Sequence, residues 1–154
     1  MAITRIRHDA VLGPAHRVHG PASNLLASAR HGLLEAAISS RPAERYANAH
    51  LAALRCAAAV LAAKTRPELS SSRRSRPRNA WALLADVAPE LAEWAAFFSA
   101  GAAKRAAAEA GIEGAVTARD ADDLLRDVEI FLALVETTLG VAHQSALALE
   151  VRAS

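Results

Sequence analysis

Forty of the 154 residues are alanine. Alanine is the strongest intrinsic helix former, because its methyl group loses no rotamer freedom on folding. It also lets helices approach closely. Hydrophobic residues make up 53% of the chain but aromatic ones only 4%, so a core has to come from closely packed helices with few large side chains. The composition predicts an all-α protein. A length of 154 residues lies in the usual range for one domain and suffices for a continuous core between three or four helices.

Cys56 is the sole cysteine, so no internal disulfide can form, and a reducing, cytoplasmic setting is expected. The start of the chain carries charge with no apolar run of signal-peptide length behind it. The longest apolar stretches, such as Cys56 to Ala63, fall short of the roughly 20 residues needed to cross a bilayer. No membrane partner is expected.

Hydrophobic periodicity places the elements. Residues 1–21, broken by Gly13, Pro14, Gly20 and Pro21, read as a disordered basic tail. A first helix runs from about Ala22 to Ile38, with Leu26, Ala29, Leu33 and Ala37 on one stripe and Leu25, Leu34 and Ile38 beside it. Arg41-Pro42 opens a second, since proline fits the first turn, where its missing N–H has no helical partner. This helix should reach about Lys64 and bury Ala47, Leu51, Leu54, Ala58 and Leu61. Residues 65–78 then read as an Arg/Ser-rich loop. A third helical region begins at Asn79, with Trp81, Leu84, Val87, Leu91, Trp94 and Phe98 at helical spacing, a kink at Pro89, and its end at Gly111 and Gly114. Thr117 and Asp120 look like a capping pair for the last helix, whose stripe is Leu124, Val128, Phe131 or Leu132, Val135 and Leu139, with Gly140 as its stop. The expected architecture is an up-and-down bundle of four to five helices over residues 22–140, followed by a C-terminal tail, 141–154.

Charge divides the chain. Residues 1–78 carry 13 Lys+Arg against 4 Asp+Glu, and residues 79–154 carry 5 against 12. One consequence is ion pairing of the early helices with the last. The other is attraction of phosphate: Arg66, Arg73, Arg74, Arg76 and Arg78 lie within one loop, and such clusters bind nucleic acid through counterion release without reading sequence. No aromatic residue interleaves with them, so base stacking is not indicated there. His16 and His19 have no cysteine or acidic companion to complete a metal site. The chain has no glycine-rich phosphate loop, nucleophile elbow or zinc-type Cys/His spacing, and no cofactor or metal is implied.

Arg45 and His50 are the remaining chemical candidates, with Tyr46 and Asn48 between them. Histidine can move the proton of a ribose 2′-hydroxyl or of the leaving oxygen, and arginine can stabilise charge building on a phosphate. Sixteen arginines and six histidines yield about two such pairs by chance, so spacing alone has no weight. Five helical steps also set the two side chains roughly 140° apart. His50 borders the expected buried stripe, where a histidine more often serves as hydrogen-bonded packing.

Pro42 to Arg55, Ala80-Trp-Ala-Leu-Leu, Glu90-Leu-Ala-Glu-Trp-Ala and Asp120 to Leu132, taken in order, resemble a small actinobacterial branch of the HEPN superfamily over about residues 22–140. That resemblance implies a helical bundle that often dimerises. It also implies, in many members, a metal-independent ribonuclease whose arginine and histidine are spaced as Arg45 and His50 are, the dimer bringing two copies of the pair together. Tyr46 departs from the small polar residue that usually follows the arginine in active members, and the motif lies earlier in the bundle than usual. Three readings follow: a HEPN-like module binding RNA, a nucleotide or a protein partner; an endoribonuclease using Arg45 and His50 in a homodimer; and a self-associating structural protein without a ligand.

Overall fold

A computed structural model describes residues 20–64 and 79–140. The tail 1–19, the arginine segment 65–78 and the tail 141–154 lie outside the described residues. Six α-helices are present among the described residues: α1 (Pro21–Ile38), α2 (Pro42–Lys64), α3 (Ala80–Val87), α4 (Ala92–Ala100), α5 (Ala102–Glu109) and α6 (Ala118–Leu139), with a single 3₁₀ turn, Pro89–Leu91, between α3 and α4. The expected all-α bundle is therefore the observed one.

Local chemistry explains the helix ends. Pro21 takes the first position of α1, after Gly20 at φ 107°. The Asn79 side chain accepts a hydrogen bond from the Trp81 N–H at 3.0 Å and starts α3. At α6 the anticipated pair forms a complete capping box. The Asp120 N–H donates to Thr117 Oγ1 and the Thr117 N–H to Asp120 Oδ2, each at 3.0 Å. The bond from the Thr117 N–H, followed by the Thr117 side chain and Lys104, holds the Asp120 carboxyl below its ordinary pKa. Gly140, at φ 75°, closes the helix in the left-handed region.

The long helices α1, α2 and α6 form the body of the bundle. α1 runs antiparallel to α2, as the pairing of Ser28 with Arg55 and of Ser39 with Glu44 requires. Gly32 makes the approach close: a Cβ there would lie 3.1 Å from Arg55 Nη1 and 3.6 Å from Ala52 Cβ. α6 runs alongside α2 in the same sense, with Arg45 near its start and Cys56 near Glu136. α3 and α4 fold as a hairpin against α2. Trp81 stacks on Phe98 with centroids 5.0 Å apart, and Lys64 pairs with Glu90 of the turn at 2.9 Å. Trp81, Phe98 and Phe131 meet in one aromatic group, which supplies the bulk that the alanine helices lack.

Two expected faces are corrected. On α2 the buried residues are Tyr46, Ala49, His50, Ala52, Ala53, Cys56, Ala57, Ala59 and Val60, while Leu51 is exposed and Leu54 and Leu61 are half-buried. The helix is central, with α1, α3, α5 and α6 all against it, so a wide arc is buried, and close approach there requires methyl groups. On α1, Ala37, Leu34 and Ile38 point outward, the last two 67% and 84% exposed, while Gly32 and Ala36 face the core. The third region is not one kinked helix but three helices and a turn. Val87 is half-buried and Ala88 takes the core position, because Pro89 resets the phase of the stripe.

α2 is long and apolar enough by length and composition to cross a membrane, since alanines dilute its charged residues, but half of that window is buried inside the bundle.

Candidate functional site

Arg45 and His50 leave α2 in different directions. Arg45 sits in the second turn, where α2, the end of α1 and the start of α6 converge. Its Nη2 donates to the Ser39 carbonyl at 2.7 Å, and its Nη1 is bonded to Asp122 Oδ1. Nε is buried without a hydrogen-bond partner among the described residues. The guanidinium thus ties three helices together, and turning its fork toward a phosphate requires giving up Asp122.

His50 is 1% exposed. Its Nε2 lies 3.1 Å from the Phe98 carbonyl oxygen, which can only accept, so Nε2 carries the proton and Nδ1 is left as a lone pair. Nδ1 is buried and has no hydrogen-bond partner among the described residues. The ring meets Trp81 and Phe98 edge-on, at interplanar angles of 86° and 87°. Burial lowers its pKa and the nearby Arg105 acts the same way. The Phe98 carbonyl and Glu109 pull in the opposite direction without outweighing them. At neutral pH the ring is an uncharged one, wedged in the aromatic group.

Tyr46, one turn earlier, is also buried, and burial followed by the charge of Asp120 raises its hydroxyl pKa. Gly101 leaves room for it: a Cβ there would lie 3.0 Å from the tyrosine oxygen and 3.8 Å from His50 Cδ2. Tyr46 and His50 line an open hollow of about 260 Å³ together with Phe97, Gly101, Lys104 and Leu124. Asn48 instead lies on the seam with α1, its backbone carbonyl toward Gly32. The structure therefore brings Tyr46 and His50 together and places Arg45 and Asn48 elsewhere.

Several residues of this site carry no motif in the sequence. Phe97, Gly101 and Lys104 join it because the α4–α5 junction folds over the start of α2. Asp122 becomes the arginine's partner because α6 begins beside that residue. The acidic opening of α6 was the available signal for the pairing, though the sequence offered several aspartates for one arginine. Cys56 is fully buried among alanines, and burial pushes its thiol pKa up to about 12, with Glu136 adding to the effect. It is a packing residue. His16, His19, Arg66, Arg73, Arg74, Arg76 and Arg78 all lie outside the described residues.

The all-helical bundle is the architecture that the resemblance to HEPN domains implied. The SAV_6107-like HEPN family model matches residues 36–136, from the end of α1 to the last turns of α6, and the chain belongs to that family. Searches of curated proteins and of solved structures found no match.

Proposed function

We propose that this chain is a HEPN domain of the non-cleaving kind, a binding or protein-interaction module in which Arg45 and His50 serve the fold. The supporting observation is the state of His50: nearly inaccessible, its one N–H given to the Phe98 carbonyl and its other nitrogen buried. A general base must come within about 3 Å of the proton it takes, directly or through one water. Arg45, bound to Asp122 and Ser39, adds to the same reading.

Family membership carries a second reading, metal-independent RNA cleavage in a homodimer. It requires His50 to be uncovered and Arg45 to be released from Asp122, with Arg66, Arg73, Arg74, Arg76 and Arg78 guiding the phosphate backbone. The test is incubation of labelled single-stranded and structured RNA with the full chain in chelator, beside Arg45→Gln and His50→Gln. Glutamine places an amide nitrogen near the position of histidine Nε2, so His50→Gln can keep the bond to Phe98 while removing the base. No cleavage by the wild type fits the proposal; cleavage equal in all three proteins would clear Arg45 and His50 but contradict a non-cleaving domain. Cleavage lost in both folded variants overturns it and establishes the ribonuclease.

A further inference from the structure

Beyond the hollow at His50, a second one of about 350 Å³ opens between α4 and α6, lined by Glu93, Trp94, Phe97 and Asp127. The two rings stand at 87° to each other with centroids 6.2 Å apart. Phe97 is 48% exposed, a large apolar ring left in solvent in a chain with few aromatic residues. Neither Glu93 nor Asp127 makes an ion pair or hydrogen bond among the described residues, whereas Asp120, Asp122, Asp123 and Glu136 all do. An adjoining hollow of about 330 Å³ shares Phe97 and Asp127 and adds Asp120 and Asp123, with Lys104 as its one cation. That lysine lies 3.3 Å from Asp120. Burial and then the charge of Asp123 raise the Asp127 pKa, outweighing the opposite pull of Arg126, which makes no ion pair with it. On the same side of α6, at helical spacing from Asp123 and Asp127, Ile130 is exposed as well.

Two aromatic rings at right angles with two unpaired carboxylates suit an organic cation. The rings attract positive charge through their faces, and a planar guanidinium both stacks on a ring and bonds a carboxylate. The same field repels a phosphate backbone. We propose that Glu93, Trp94, Phe97 and Asp127 form the docking site for a basic polypeptide segment, which places an arginine side chain between the two carboxylates and rests apolar groups on Phe97 and Ile130. The site uses neither Arg45 nor His50, so it holds whether or not the chain cleaves RNA.

The test is fluorescence anisotropy of labelled hexa-arginine titrated with the full chain at low salt, with hexa-glutamate as the control peptide. Glu93→Gln/Asp127→Asn and Phe97→Ala should each weaken binding, the double variant by about tenfold or more. Glu129→Gln, an exposed carboxylate outside the hollow, should leave it unchanged. All three sets of changes fall on exposed or half-exposed side chains, so folding is expected to survive and is checked by circular dichroism. Absence of hexa-arginine binding by the wild type overturns the proposal, as does an equal loss in Glu129→Gln, which would indicate general charge attraction. A change of sedimentation mass in the double variant without any change in peptide affinity also overturns it, by assigning the face to a second copy of this chain.

Discussion

His50 links a single side chain to the acid response of the whole bundle. Its folded-state pKa is depressed below 6.5, chiefly by burial, so the unfolded chain binds a proton that the folded chain refuses. Stability from this residue is complete above the unfolded-state pKa, about 6.5, and is lost as pH falls below it, until the folded ring itself protonates. Urea denaturation at pH values from about 7.5 down to about 5 should show falling stability in the wild type and a shallower fall in His50→Gln; equal slopes would contradict the burial of this ring. The position of His50 beside the apolar face was legible in the sequence. Its complete enclosure was not, since the carbonyl that receives its proton comes from Phe98, 48 residues away, and no local pattern encodes that meeting.

At the scale of elements, the chain is most readable where backbone chemistry decides. Thr117, Asp120 and Gly140 announce the ends of α6 because unpaired N–H and C=O groups there demand particular side chains and a left-handed residue. Thr117→Ala should lower stability by about 1 kcal/mol, measured by chemical denaturation, and a negligible change would mean that packing alone holds the start of α6. The stripe of α6 is equally legible, since Leu124, Val128, Phe131, Leu132 and Val135 face the core amid aspartates. α2 defeats the same reasoning. Where 10 of 23 positions are alanine, leucine no longer marks the buried side; Leu51 faces out while Ala52 and Ala53 have no exposure at all.

At the scale of the molecule, close packing and charge pairing hold the parts together. Ala53→Leu should destabilise by roughly 1–3 kcal/mol through overpacking, whereas Leu51→Ala should cost clearly less than a buried leucine truncation does. Thermal or urea unfolding of the two variants decides between the observed face and the one periodicity suggests. The opposed charges of the two halves partly resolve into bridges: Arg30 to Glu136 at 2.7 Å, Arg45 to Asp122, and Lys64 to Glu90. These cross between helices far apart in sequence, and each is partly solvated, so their individual contributions are modest. What pairing leaves over is the unmatched acid of Glu93 and Asp127 around Phe97.

Composition and local pattern by themselves determined the all-helical class, the breaks before α2 and α6, the caps of α6 and the family. All of these depend on near neighbours in the chain, where propensity, hydrogen-bond accounting and residue order suffice. Only the tertiary structure decided which alanines face inward, that Arg45 binds Asp122 and His50 binds Phe98, and that Trp94, Phe97 and two free carboxylates share one hollow. Those outcomes depend on which helices touch and in what rotation, and in a chain of nearly interchangeable alanine faces that choice is made by the sum of all contacts at once.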